Sequence, residues 1–276
     1  MKGFFSNLGP RTKVEHGAAS FELPILYFRE DSFAAFFTAK MEKVRTILPT
    51  KNLEPVTLAK GRTLIGIAAF NYLETTVGPY GEVAIVVPVV HRGKSVPGIP
   101  LLLEARYPGF GMLVLHLPVT DIVPRDAGRG EWGYTKFVAD MDFLVTPEFL
   151  QCRLGEEDSH ILTLRVPRRG IVKRDNRPIV TYSVKEGKLI KTTIPQKGLF
   201  LLNPGPWGSK LELGDHPVAQ SIKDLDISLK PILTRAYLYR SAILPAGEVV
   251  EKGMNPLEGY RGTDRKGRHT IKYLED

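Results

Sequence analysis

Apolar positions in residues 31–49 recur at three- and four-residue spacing through Phe33, Phe36, Phe37, Met41, Val44 and Leu48. With Asp31 or Ser32 as a cap and Pro49 as a stop, this predicts a helix. From Thr63 the pattern changes to short runs rich in Val and Ile at residues 64–70, 83–90 and 112–117, which read as largely buried strands. Period-two alternation then marks strands at residues 160–167 and 179–184, the second entering a hairpin turn at Glu186-Gly187. The segment 168–178, rich in Arg and Lys, reads as a solvated basic loop. A second helix is expected at Asp215-His216-Pro217, with Asp215 as its cap, followed by strand at residues 231–244.

Composition narrows the class. Gly at 26 and Pro at 21 of 276 residues, without a period, argue against a helical bundle and for many strands and turns. A hydrophobic share of 43% and a charged share of 25% belong to a globular chain able to bury its own core. The expectation is one domain over 1–276, with its core at about 20–250 and a tail from 251 that runs over the surface or reaches a neighbouring subunit. The longest apolar stretch, residues 83–90, is far short of the roughly 20 residues a spanning helix needs, so no membrane contact is expected. No apolar signal-peptide core develops near the start, and a cytoplasmic location is the expectation.

The net charge of +8 gives a basic surface. Nucleic acid is not the expected partner, because no aromatic residues interleave with the basic segment. The lone cysteine, Cys152, excludes an intrachain disulfide. The 6 histidines show no ligand spacing, so neither a metal nor another cofactor is expected. Gly128-Arg129-Gly130 lacks the remaining features of a phosphate-binding loop.

What remains is GRGEWGYTKFV, residues 128–138, in which Lys136 sits among Trp132, Tyr134 and Phe137. An ordinary lysine amine is only about 0.04% unprotonated at pH 7, so a nucleophilic lysine needs surroundings worth roughly 4 kcal/mol. An apolar setting supplies this by destabilising the ammonium form.

This run resembles the motif that introduces the Schiff-base lysine in the acetoacetate decarboxylase family, and Lys136 occupies the place of that lysine. Leu117-Pro118-Val119-Thr120 is similar to the family's approach to the motif. Val77-Gly78-Pro79-Tyr80-Gly81-Glu82 resembles its glutamate-bearing segment, and the stretches around Asp215-His216-Pro217 and Pro245 resemble its C-terminal half. The resemblance implies a mainly β (α+β) fold, with an antiparallel barrel-like or cone-like core, a few flanking helices and homo-oligomeric assembly.

It also implies a carbon–carbon lyase in which Lys136 forms an imine with a small oxo acid. Glu82 would assist proton transfer, Arg29 would orient the carboxylate, and Tyr80, Tyr134, Phe137 and Trp132 would line the substrate site. Decarboxylation of a 3-oxo acid is the leading expectation. An aldolase-dehydratase joining an oxo acid to an aldehyde through the same imine is the alternative, and a non-catalytic protein that binds a small acid is a third reading.

The departures from the family pattern are specific. Phe137 replaces a second lysine, so burial rather than like-charge repulsion is expected to activate Lys136. Thr135 replaces a proline, which is expected to loosen the backbone before the lysine. A further family glutamate falls on Ile67, and Arg29 lies one residue out of register, an offset that a β-bulge would absorb.

Overall fold

The computed structural model describes residues 3–6, 8–59, 61–93, 107–257 and 259–274. The chain begins with β1 (Thr12–His16), β2 (Ala19–Leu23), β3 (Ile25–Lys40), helix α1 (Met41–Thr46), β4 (Leu53–Pro55), β5 (Arg62–Thr75), β6 (Tyr80–His91) and β7 (Phe110–His116). Helix α2 (Ile122–Ala127) runs directly into a π turn (Gly128–Trp132). There follow β8 (Asp140–Val145), β9 (Phe149–Glu156), β10 (Ser159–Pro167), β11 (Ile171–Asp175), β12 (Ile179–Lys185), β13 (Lys188–Ile194), β14 (Gln196–Pro204) and β15 (Lys210–Leu213). Helix α3 (Pro217–Lys223), β16 (Leu233–Leu244), β17 (Glu248–Lys252) and β18 (His269–Tyr273) complete the order.

An 11-stranded sheet runs β11-β14-β16-β3-β5-β6-β7-β12-β13-β17, with β4 paired to β6, and a 5-stranded sheet runs β15-β10-β9-β8-β18. The fold is mainly β, as expected, but neither sheet closes into a barrel and neither is purely antiparallel. Strands β11 and β17 stand at opposite ends of the larger sheet's order. The parallel pairs β7–β12 and β8–β18 arise because the chain makes long excursions between these strands and returns in the same direction, which a hairpin cannot do.

The main core lies between the two sheets, where Ala35, Phe37, Ile65, Val83 and Ile85 of the larger meet Met141, Phe143, Leu154 and Leu164 of the smaller. This arrangement overturns the helix expected at residues 31–49. Ala35, Phe37 and Ala39 face this core while Ala34 and Phe36 face a cavity on the other side of β3. A strand buried on both faces is apolar at odd and even positions alike, and the three- and four-residue spacing is contained in that run without causing it. Only Met41–Thr46 is helical.

The remaining strand expectations fall within β5, β6, β7, β10, β12 and β16 or overrun their ends by at most two residues, and the turn of the β12–β13 hairpin places Glu186 at φ 50 and Gly187 at φ 67. The basic segment is not a loop: residues 171–175 form the end strand β11, with Lys173 and Arg174 exposed and Asp175 buried. Helix α3 is capped by His216, whose Nδ1 accepts from the Val218 amide at 3.1 Å, and not by the exposed Asp215. The C-terminal segment lies on the smaller sheet, where β18 pairs with β8 and Tyr260 donates to Glu156 Oε2 at 2.6 Å. Among the described residues no helix is long and apolar enough to cross a membrane.

Candidate active site

The larger sheet curls around a cavity of about 480 Å³ lined by residues of β3, β5, β6, β7, β12, β13, β14 and β16. Its floor follows from the register. Ala34, Ala68 and Ala84 are cross-strand neighbours on β3, β5 and β6, and all three line the cavity. Three methyl groups in a row leave a hollow where larger side chains would fill the sheet face. Beside this row, Phe70 pairs with Glu82, so the hollow adjoins the carboxylate that contacts Lys136.

Lys136 lies on an extended segment stitched to its neighbours by backbone hydrogen bonds. Leu117 N–H donates to Thr135 O at 3.2 Å, Val119 N–H to Phe137 O at 2.8 Å, and Val83 N–H on β6 to Pro118 O at 3.0 Å. The strip 117–120 therefore fastens the lysine segment to the strand bearing Glu82. Lys136 and Glu82 are both buried, with Nζ 2.6 Å from Glu82 Oε2. Tyr72 OH donates to the other carboxylate oxygen at 3.2 Å.

The glycine and arginine that open the motif have physical roles. A Cβ on Gly128 would lie 2.5 Å from both Cδ and Cε of Lys136, so hydrogen at this position is what lets the lysine stem pass the π turn. Arg129 Nε donates to the Lys136 carbonyl at 2.6 Å and so fixes the backbone from which the amine projects. Gly133, at φ 68, ends the turn in the left-handed region. Thr135 does not loosen the segment: its Oγ1 donates to Leu115 O at 2.8 Å, a tie that the family's proline cannot make.

Around the pair stand three tyrosines in mutual contact, Tyr27, Tyr72 and Tyr80, with ring centroids 4.5 and 4.7 Å apart through Tyr72. Burial, reinforced by the Glu82 charge, holds the Tyr72 phenol well above its ordinary value and raises that of Tyr27. Burial with the nearby Tyr27 and Glu82 does the same for Tyr80. All three phenols remain hydrogen-bond donors across the physiological range. Lys136 Nζ also stands 5.6 Å from the Tyr80 ring centroid. The amine is thus buried as expected, but its nearest polar neighbour is a carboxylate, and an apolar setting alone does not describe its surroundings.

The other sequence-derived positions divide. Tyr134 lines the cavity, its hydroxyl 2.7 Å from Thr181 Oγ1, and burial pushes its phenol up to about 12. Tyr80 is not part of the cavity lining and backs the lysine from behind it. Trp132 and Phe137 stand outside the cavity lining: Trp132 Nε1 donates to Pro245 O at 2.9 Å, and Phe137 packs edge-on against Tyr260 in the main core. Ile67 is buried with no exposed surface.

Arg29 is exposed and does not line the cavity. The expected bulge is present, with register shifts on both sides of Arg29 in the β3–β5 pairing, but it turns Glu30 inward. Three arginines line the cavity instead, Arg177, Arg235 and Arg240; the most deeply buried is Arg240 on β16, 5% exposed, with Nη1 2.7 Å from Glu30 Oε1 and Nε donating to Gln196 Oε1 at 2.7 Å. Burial opposes the guanidinium charge, and Glu30, Tyr72 and Tyr237 outweigh it, raising the Arg240 value. Tyr72, Arg240, Glu30 and Gln196 were not signalled by sequence, since each sits in an ordinary strand pattern far from the lysine motif. Among the described residues no cluster of His, Cys, Asp and Glu is arranged to hold a metal.

No curated protein matches the chain in sequence. In fold it is similar to an acetoacetate decarboxylase from Legionella pneumophila, with a TM-score of 0.66 and 18% identity over 91% of this chain and 95% of that one. A further acetoacetate decarboxylase structure gives a TM-score of 0.62 and 17% identity over 83% of this chain and 90% of the other. The enduracididine biosynthesis enzyme MppR, complexed with the condensation product of pyruvate and imidazole 4-carboxaldehyde, gives 0.59 and 12% identity over 82% and 88%. The family model for acetoacetate decarboxylase matches residues 10–254, and the chain belongs to that family.

Proposed function

We propose that the protein is a Schiff-base lyase that decarboxylates a 3-oxo acid through an imine on Lys136. The observation that carries this reading is the buried Lys136–Glu82 contact of 2.6 Å at the wall of a cavity of about 480 Å³, within a chain of the acetoacetate decarboxylase family. A proton passes from the amine to Glu82, the freed lone pair attacks the ketone carbon, and the carbinolamine loses water as Glu82 returns the proton to the departing hydroxyl. The cationic imine nitrogen then accepts the electron pair of the breaking carbon–carbon bond. Carbon dioxide leaves, the enamine is protonated at carbon, and water releases the ketone. Tyr72, held on the second oxygen of Glu82, orients the carboxylate so that one oxygen serves the amine.

Cavity size favours a second reading. A space of about 480 Å³ holds far more than a four-carbon acid, and an enamine formed on Lys136 could meet an aldehyde there in an aldol condensation followed by dehydration. MppR, similar in fold and complexed with the condensation product of pyruvate and an aldehyde, supports this reading.

Gas release from a panel of 3-oxo acids, measured beside aldehyde condensation with 2-oxo acids, distinguishes the two. The expected result is carbon dioxide release that vanishes in Lys136→Met. Turnover that survives this substitution overturns the imine reading. A folded protein inactive across both panels leaves binding of a small acid as the better account.

A further inference from the structure

We infer that Arg240 is the group that recognises the anionic end of the substrate, so that the substrate is an oxo acid whose carboxylate sits on β16 and whose apolar remainder lies on the alanine floor. This rests on the cavity described above and deepens the reading of the Lys136 site.

Arg240 is a built anchor. Its Nε and Nη1 are each engaged by a side-chain acceptor at 2.7 Å, which fixes the plane of the guanidinium. Its carbon Cζ lies 5.3 Å from the Phe70 centroid and 5.9 Å from that of Tyr237, so the fork is braced by aromatic rings as well. The residue lines the cavity, as do Arg177 and Arg235, but it is Arg240 that lies over the ring of Phe70 beside Glu82, and its Nη2 has no hydrogen-bond acceptor among the described residues. A guanidinium held in this way presents a charged donor with little rotamer entropy left to lose, the arrangement that suits a planar carboxylate.

Position ties the anchor to the chemistry. Phe70, beneath the guanidinium, is the cross-strand partner of Glu82. Glu30, which holds Arg240, is within electrostatic reach of Glu82. From this row the floor of Ala34, Ala68 and Ala84 extends to the next, where Phe36 and Val86 flank Gly66. An acid with a bulky apolar substituent matches this polarity, charged at one end and covered by aliphatic and aromatic carbon along the rest.

The test uses calorimetric titration with two probes that carry no ketone and so cannot form an imine, 4-phenylbutanoate and 4-phenylbutanol. The wild type is expected to bind the acid about 10- to 100-fold more tightly than the alcohol, the range of a charge-assisted contact. Arg240→Gln combined with Glu30→Gln removes both charges together, leaves neither buried alone, and is expected to abolish the preference while alcohol binding stays within a few-fold. Arg240→Lys, which keeps a charge opposite Glu30, serves as the second variant and is expected to retain only part of the preference.

Lys136→Met should keep the preference intact. A wild type that does not distinguish acid from alcohol overturns the inference. So does a preference that persists in the folded double variant or disappears in Lys136→Met. Since no step depends on an imine, failure of ketone chemistry at Lys136 would leave this result standing, and the two readings fail separately.

Discussion

Replacing Gly128 by alanine separates the folding role of the lysine motif from its chemical role. Gly128 lies in a helical turn at φ −68, a conformation alanine adopts more readily than glycine by about 1 kcal/mol, so the backbone gains from the change. The added methyl, however, would stand 2.5 Å from Cδ and Cε of Lys136, where nonbonded carbons settle at about 3.5–4.0 Å. The lysine stem is the mobile partner in that clash and must retreat by about 1 Å, drawing Nζ out of its 2.6 Å contact with Glu82. A displacement of about 1 Å at a reacting atom costs on the order of 100-fold in rate. Gly128→Ala is therefore expected to unfold at a denaturant concentration close to that of the wild type and to turn over substrate about 100-fold more slowly. Wild-type turnover in the folded variant would show that the space beside Gly128 does not position the amine.

Other outcomes follow from the same geometry. Glu82→Gln keeps the shape of the side chain but cannot take the amine's proton, and steady-state rates of the folded variant are expected to fall about 100- to 10,000-fold, with a lowered melting temperature because Lys136 is left buried without its charge partner. A rate within a few-fold of wild type would remove Glu82 from the reaction. Ala68→Leu fills the middle of the alanine floor and is expected to exclude bulky oxo acids while a small acid such as pyruvate still binds, compared by competition titration; equal losses for both would mean that the floor does not select size. His116 is held down to about 4 by burial, with His216 adding to the effect, against an ordinary value of 6.5. Between those two values the unfolded chain takes up a proton that the folded chain refuses, so stability falls as pH drops from 6.5 towards 4 and is unaffected above 6.5. His116→Gln is expected to show a smaller fall in denaturant midpoint between pH 7 and pH 4.5, and an equal fall in both proteins would refute the assignment.

The Lys136–Glu82 pair was legible in the sequence because its determinants are local. The spacing of Gly128, Arg129 and Lys136 encodes one turn and the passage of one side chain past it, and Glu82 follows a recognisable glycine-containing entry to β6. The Arg240 side of the cavity was not legible. Arg240 reaches the cavity from β16, more than a hundred residues beyond Lys136, and depends on strand pairing that no local pattern reveals. Arg29 and Glu30 show how little separates the two outcomes: in a strand, one extra residue exchanges the faces, so the bulge at Arg29 decides which neighbour is buried. The helix expected over β3 failed for a related reason, since burial on both sides of a sheet erases the alternation that would have marked a strand. The open sheet was equally hidden, because closure depends on whether the end strands β11 and β17 meet, and neither sequence contains that information.

The central claim is that one amine, Lys136, becomes covalently bonded to the substrate. Reduction with borohydride in the presence of an oxo acid, followed by peptide mass mapping, tests it directly. The account predicts a stable mass increment on the peptide carrying Lys136, absent when substrate or borohydride is omitted and lost in Lys136→Met. An increment on a different lysine, or none from any oxo acid that the folded protein turns over, would contradict it.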